Sequence, residues 1–292
     1  MKIQKLEAYL KVIENGSISK TAKEMGYTQS AISKMIQELE KEWDLKLLTR
    51  NHDGVEATTV GSELMPEIRN IIRDYDNLNS SVALLHGMNK GTIRLGTPLS
   101  AAAALLPGML KEFHDHYPNI KVELYEGEDV EIAELLRRGV LDVSILPQNL
   151  ADRYYAKPLV TDVIVAILPK NHPLAKEEFF SMEAFETEEI ISLREELDYD
   201  VKGYFEENGI EPNIIYEVSD DLSMFSMVER GLGICIEYGL LLKPLRFDVE
   251  VKPISKTKHR NLKLCVKDKD ALTPLIELFY KSAEEYFAIS SI

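Results

Sequence analysis

Residues 17–50 alternate apolar and polar positions in the manner of two short helices around a tight turn. Ser17 can cap the first helix, Ala22 and Met25 can turn inward, Gly26 and Tyr27 form the turn, and Thr28 caps the second helix. Advancing 100° per residue from Gln29, the apolar residues Ala31, Ile32, Met35, Ile36, Leu39 and Trp43 fall between roughly 200° and 340°. Gln29, Ser30, Ser33, Lys34, Gln37 and Lys41 fall between roughly 0° and 140°. One face packs, and the other offers short amides, hydroxyls and lysines, groups that hydrogen-bond base edges or phosphates. Glu38 and Glu40 enter only beyond the tip that a groove would receive. This is the layout of a helix-turn-helix reader of DNA; the competing reading is a solvated polar face.

From Leu64 the apolar positions become Leu64, Ile68, Ile71, Tyr75, Leu78, Val82 and Leu85, a heptad seam with polar flanks. A single long helix buries such a stripe most economically against a copy of itself, although a helix packed on its own neighbouring domain shows similar spacing. Pro66 removes one bond of that helix, so a bend near its start is expected. Gly87, Asn89 and Gly91 are expected to end it in a short joint.

After Thr92 short apolar runs alternate with amphipathic stretches: strands at 93–95, 122–125, 142–146, 163–168, 190–192, 214–218, 233–236 and 262–266, and helices at 105–116, 129–138, 201–208, 222–229 and 273–286. Such alternation implies a parallel sheet covered by helices. The expected organisation is therefore α/β, with residues 1–58 as a helix-turn-helix domain, 59–90 as a linker helix and 91–292 as an α/β module.

Charge qualifies this picture. The chain has 34 Lys and Arg against 49 Asp and Glu, a net charge of -15. Residues 1–58 hold nine basic and nine acidic side chains, whereas 91–292 hold 22 and 36. Nonspecific DNA affinity comes from cations that release condensed counterions, so a neutral head is expected to bind random sequence weakly, with a shallow salt dependence. Base contacts and two heads acting together must supply the rest.

The N-terminal stretch resembles the LysR-type transcriptional regulators. The resemblance is carried by Leu6 and Tyr9, Gly16-Ser17, Thr21-Ala22, Thr28-Gln29-Ser30-Ala31-Ile32-Ser33, Leu39-Glu40, Leu47-Leu48-Thr49-Arg50 and Thr58-Thr59-Val60-Gly61. The family pattern has Ala where Thr21 stands, Gly at Asp44, Phe at Leu48 and Ala at Val60. Of these, Asp44 alone brings a negative charge close to where phosphate should lie. The resemblance implies a winged helix-turn-helix, base contact by Gln29, Ser30, Ser33, Lys34 and Gln37, phosphate contact by Arg50, and Thr28 as part of the same DNA-binding set.

It continues through Gly91-Thr92-Ile93-Arg94-Leu95-Gly96, Leu106-Pro107, Phe113, Tyr117-Pro118, Glu126-Gly127, Gly139, Leu141-Asp142, Gly231 and Gly233-Ile234. There it implies two α/β lobes joined by crossover strands, similar to periplasmic solute-binding proteins, about 91–160 with 266–292 and about 161–265, and a homodimer or homotetramer holding a small-molecule effector between the lobes.

The carboxyl ends of the strands, where helix N-termini present free N–H groups, are the physically favoured place for that effector. Thr97, Ser100, Glu128 and Pro147 are the candidates on the first lobe, and Ser192 and Arg194 on the second. Thr97 and Ser100 have an equally good alternative role as helix caps.

Cys235 and Cys265 sit in apolar runs and read as core residues; the six histidines show no metal-ligand grouping. No cofactor is expected, because P-loop, GxGxxG and GxSxG motifs are missing. With no apolar run of signal-peptide or membrane-span length, a cytoplasmic location is expected. The alternative, a solute-binding protein or enzyme whose N-terminal helices only mediate association, calls for an export signal or a convergent nucleophile, base and oxyanion site, and the sequence offers neither.

Overall fold

The computed structural model of the protein describes residues 2–51, 54–86, 89–194, 199–244 and 246–289. Gly87, expected to help end the linker helix, lies outside them.

The N-terminal domain packs α1 (Ile3–Asn15), α2 (Ile18–Met25) and α3 (Gln29–Trp43) around Leu6, Tyr9, Val12, Ile32, Ile36 and Leu39. Ser17 caps α2 by accepting from Lys20 N–H at 3.3 Å, and Thr28 caps α3 by accepting from Ala31 N–H at 3.2 Å. Gly26 stops α2 at φ 73, a left-handed conformation that costs glycine little. The antiparallel pair β1 (Leu48–Asn51) and β2 (Gly54–Ala57) follows as a wing, with Arg50 opposite Val55.

The helix α4 (Thr59–Leu85) has three distinct faces, which corrects the expectation of one continuous self-association seam. Ile68, with Leu64, Met65 and Ile72, packs into the core of the N-terminal domain. The stripe leaves that core at Ile71, and Ile71, Tyr75, Leu78 and Val82 are 41, 43, 60 and 45 % exposed. About 180° around the helix, Asn70, Arg73 and Ser80 meet the first lobe: Asn70 and Arg73 close over Gly139, and Ser80 over Gly91.

The remaining strands are β3 (Gly91–Thr97), β4 (Ile120–Glu126), β5 (Val143–Pro147), β6 (Tyr155–Pro169), β7 (Ile190–Leu193), β8 (Ile214–Val218), β9 (Cys235–Tyr238), β10 (Val249–Pro253) and β11 (His259–Val266). The helices between and after them are α5 (Leu99–Ala104), α6 (Leu106–His116), α7 (Asp129–Arg137), α8 (Gln148–Ala151), α9 (Tyr199–Asn208), α10 (Asp221–Glu229) and α11 (Pro274–Ile289).

Among the described residues a seven-stranded sheet runs β10-β6-β11-β5-β3-β4, with β9 also on β6. It is mixed rather than parallel as expected. The pairs β3–β4 and β3–β5 are parallel, but β11 runs antiparallel to both β5 and β6, and β6 antiparallel to β9 and β10. Alternating strands and helices predict the parallel core of each lobe, and carry no information about strands that return from one lobe to the other.

Two of these returns matter. The 15-residue β6 contributes its first half to the first lobe beside β11, and its second half to the other lobe beside β9 and β10. One core gathers Ile93, Leu95, Leu106, Phe113, Val143, Leu264 and, from α11, Phe279 and Tyr280. A separate core gathers Ile164, Phe180, Phe185, Tyr204, Phe205, Ile236 and Ile254. Each lobe thus has its own buried interior, with Leu240 of the second lobe reaching into the core of the first.

Candidate nucleic-acid interface and inter-lobe cleft

In this domain Lys5 meets Glu38 at 3.1 Å and Glu42 at 3.6 Å, both on α3, and Lys11 meets Glu14 of α1 at 3.3 Å and Glu24 of α2 at 3.0 Å. The front carries exposed Gln29, Ser30, Lys34, Gln37 and Arg50 and half-buried Ser33. Ser33, Gln37 and Arg50 line one concavity with Lys46, Leu48 and Thr49, so the recognition helix and the wing form a continuous surface. Thr28 and Ser30 bond each other at 3.0 Å, so Thr28 is spent on capping and orienting Ser30.

Glu40 fixes the wing to the helix. Its carboxylate accepts from Leu47 N–H at 2.9 Å, Leu48 N–H at 3.3 Å and Lys46 Nζ at 3.0 Å. Burial raises its pKa, but these bonds outweigh burial and hold it below the usual carboxylate value. The departures from the family pattern have physical accounts. Thr21 is fully buried with its hydroxyl against the carbonyls of Ser17 (2.8 Å) and Lys11 (3.1 Å), accepting from Asn15 Nδ2 at 3.2 Å. Asp44 ends α3 in the left-handed conformation, φ 52 and ψ 40, where glycine is the unstrained residue.

Between the lobes the structure assembles a polar network that centres on residues outside the sequence-derived set. Arg260 on β11 stands opposite Asp162 on β6 in the sheet register and bridges to it at 2.9 Å, with side chains 12 and 3 % exposed. The same guanidinium donates to Ser100 Oγ at 3.0 Å and lies 3.9 Å from the ring centre of Tyr238. Tyr238 Oη donates to Asp200 Oδ2 at 3.1 Å. Asp162 also accepts from Leu240 N–H at 2.9 Å. The chain of contacts therefore runs from the first lobe (Ser100), over both crossover strands, to the second lobe (Tyr238, Asp200).

Asp129 opens α7 close to this network. Burial raises its pKa to about 6; Arg260 pulls it down, and Asp200 and Glu128 push it up. Asp221, opening α10 on the second lobe, is raised by burial and by Asp220 and Glu128. Asp129 Oδ1, Asp221 Oδ1 and Arg260 Nε are buried atoms without a hydrogen-bond partner.

Of the six effector-site candidates, Ser100 joins the network directly. Thr97 is fully buried with Oγ1 donating to the Pro98 carbonyl, and neither Thr97 nor Ser100 caps α5, which starts at Pro98 with no side-chain cap bond. Glu128 is exposed at the N-cap of α7, and Pro147 is buried at the end of β5, opposite Leu262. Ser192 lines a different groove, with Leu193, Phe205 and Ile214 on the second lobe, and Arg194 is exposed. Sequence reasoning passed over Arg260 and Asp162 because it looked at loops after strands; a charged residue inside each of two apolar strand patterns was the available signal.

Cys235 and Cys265 are buried and form no disulfide, and burial pushes the Cys265 thiol up to about 12. Among the described residues no group of three or more His, Cys, Asp or Glu is set to hold a metal, and no helix is long and apolar enough to cross a membrane.

A winged helix-turn-helix domain carried on a long helix and followed by two α/β lobes around a cleft defines a ligand-responsive DNA-binding regulator. Residues 3–62 match the family model described as bacterial regulatory helix-turn-helix protein, lysR family, and residues 86–288 match the LysR substrate binding domain. The chain belongs to the LysR family of transcriptional regulators.

It is 27 % identical over 290 residues to the uncharacterized HTH-type transcriptional regulator YvbU of Bacillus subtilis, covering 98 % of this chain and 99 % of that protein. It is 26 % identical over 299 residues to the transcriptional dual regulator GltC of the same organism, covering 99 and 98 %. In fold it is similar to full-length OxyR from Pseudomonas aeruginosa, with TM-score 0.73, 18 % identity and 97 and 95 % of the two chains covered. Full-length CbnR complexed with its target DNA gives TM-score 0.68, 19 % identity and 98 and 99 % coverage.

Proposed function

We propose that this regulator reads promoter DNA with the uncharged face of α3, and that a small molecule between its lobes adjusts that reading. Gln29, Ser30, Ser33, Lys34 and Gln37 contact base edges or adjacent phosphates, Thr28 holds the helix start, and Arg50 holds a phosphate from the wing. The observation that carries this reading is that Glu24, Glu38 and Glu42 are ion-paired with Lys11 and Lys5, and Glu40 is taken up by Lys46 and the wing's N–H groups, so the start of α3 presents short polar side chains and no carboxylate.

Self-association is supported by the exposed stripe Ile71, Tyr75, Leu78 and Val82, which continues the heptad beyond the N-terminal core. Exposed Leu124 and Tyr125 on β4, and Ile214, Ile215 and Tyr216 on β8, add an apolar sheet edge on each lobe. The active species is a dimer or a tetramer, with residues 1–58 as the reading domain, 59–90 as the linker and 91–292 as the effector module.

The effector lies between the lobes beside Ser100 and Glu128, with Arg194 at the second lobe; Thr97 and Pro147 are buried, and Ser192 lines a separate groove. Closing the cleft re-spaces the two reading heads. The protein works without catalysing a reaction and in the cytoplasm, where promoter DNA is reached. Footprinting tests the reading: wild type protects an interrupted inverted repeat, and Ser33→Ala or Gln29→Ala loses discrimination by about 1–3 kcal/mol per base contact while dimerisation is kept. Full specificity in both variants would exclude α3 as the reader.

A further inference from the structure

Two lobes joined by crossover strands swing about those strands unless something else ties the lobes together. In this protein the crossing point itself carries the tie. Arg260 of β11 and Asp162 of β6 stand opposite each other in the antiparallel register, so their side chains rise from the same face of the strand pair. The Asp162 carboxylate is buried and the Arg260 guanidinium nearly so, and the two close at 2.9 Å.

Each member of the pair then reaches out to the lobes. Arg260 Nη2 donates to Ser100 Oγ on α5 of the first lobe at 3.0 Å, and its guanidinium lies 3.9 Å from the ring centre of Tyr238 on β9 of the second. Asp162 Oδ1 accepts from Leu240 N–H, in the turn after β9, at 2.9 Å, and from Val163 N–H at 2.9 Å. The Leu240 side chain does not stay with its own lobe: it is 3 % exposed and packs in the core of the first lobe with Leu105 and Leu106. A planar guanidinium meets a carboxylate, a hydroxyl and an aromatic face together, which the point charge of a lysine does not.

Swinging the lobes apart would therefore draw Leu240 out of an apolar core, take Ser100 from the guanidinium and open a buried charge pair. We propose that Arg260 is a positioning residue: with Asp162 it latches the lobes at the angle they have here, and the angle changes only when the latch lets go. Ser100 is the first-lobe end of that latch. On the cleft reading above, a ligand that takes the Ser100 hydroxyl displaces the guanidinium, so occupying the cleft and freeing the first lobe become one event.

The latch is read from the distance between the lobes in the full-length protein. Cys235 and Cys265 are fully buried, so Lys111→Cys on α6 and Lys170→Cys just beyond β6, both at exposed positions, take spin labels selectively. Mixing labelled chains with a large excess of unlabelled ones keeps the measured distance within one chain. Wild type is expected to give one narrow distance. The distribution should widen at least twofold in Ser100→Ala, which removes only the tie to the first lobe. It should widen further in the double variant Arg260→Gln with Asp162→Asn, which dissolves the pair without leaving one charge buried alone.

A melting temperature that falls while both variants keep the wild-type distance would make the network a brace rather than a latch and overturn the proposal. A broad distribution in the wild type would overturn it as well. Gel shifts on selected duplexes with one and with two half-sites separate this from the function proposed above: unlatching should change affinity for two half-sites and leave a single half-site unaffected. Widened distances with both affinities unchanged would keep the latch and overturn the coupling of the cleft to the reading heads.

Discussion

Asp129 offers a quantitative test of the cleft, because it is largely buried and its Oδ1 has no hydrogen-bond partner. Burial lifts its pKa from 3.8 to about 6, only partly opposed by Arg260. A shift of that size disfavours the ionised form in the native state by about 3 kcal/mol, and partial access to solvent reduces the working figure to roughly 1–3 kcal/mol. The native state then binds the proton more tightly than the unfolded chain does. The contribution of this group to stability is greatest below pH 3.8, falls as pH rises from 3.8 to about 6, and is level above that.

Asp129→Asn removes the titration and keeps the shape. Without ligand, the variant should match wild type near pH 4 and exceed it by roughly 1–3 kcal/mol at pH 8, or roughly 3–10 °C in the melting of the effector module. Differential scanning fluorimetry of both proteins between pH 4 and 8 measures the difference directly. A gap that does not vary with pH, or a wild type that is the more stable protein at pH 8, would refute the assignment of a buried, unpartnered carboxyl.

Other perturbations follow from the same physics. Asp44→Gly relieves a non-glycine residue at φ 52 and removes a negative charge near the wing; it should raise stability by about 0.5–1 kcal/mol in urea titration and tighten binding to random duplex. Glu40→Gln weakens the charged bonds to Leu47 N–H, Leu48 N–H and Lys46 and should cost about 1–2 kcal/mol at neutral pH. Since the Glu40 pKa is lowered, wild type holds that advantage above the ordinary value of 4.5 and loses it as acid protonates the carboxylate, so denaturation curves of the two should converge at low pH. Leu78→Asp places a charge in the exposed stripe of each protomer; the loss of two apolar contacts, roughly 4 kcal/mol, weakens self-association about a thousandfold in sedimentation velocity.

The N-terminal domain was the more legible part of the chain. Its information is local: Ser17, Gly26 and Thr28 act within four residues of their own position, and the 3.6-residue period of α3 separates packing and reading faces without reference to the rest of the fold. The linker was half legible, because the heptad spacing marks an apolar stripe but cannot say that Leu64 and Ile68 belong to the reading domain while Tyr75 and Leu78 are exposed. The cleft was least legible. Arg260 meets Ser100 across 160 positions and Asp162 across 98, a convergence set by two antiparallel crossover strands that alternating strands and helices do not announce.

The central claim is that the amide- and hydroxyl-bearing face of α3 is what recognises DNA. A structure of the full-length protein on a duplex it has selected from a random pool tests this most directly. Gln29 and Ser33 of two protomers should lie within hydrogen-bonding distance of base edges in two major grooves, with Arg50 of each wing on a phosphate. A complex in which that face is turned to solvent, or is covered by the chain's own lobes, would contradict the account.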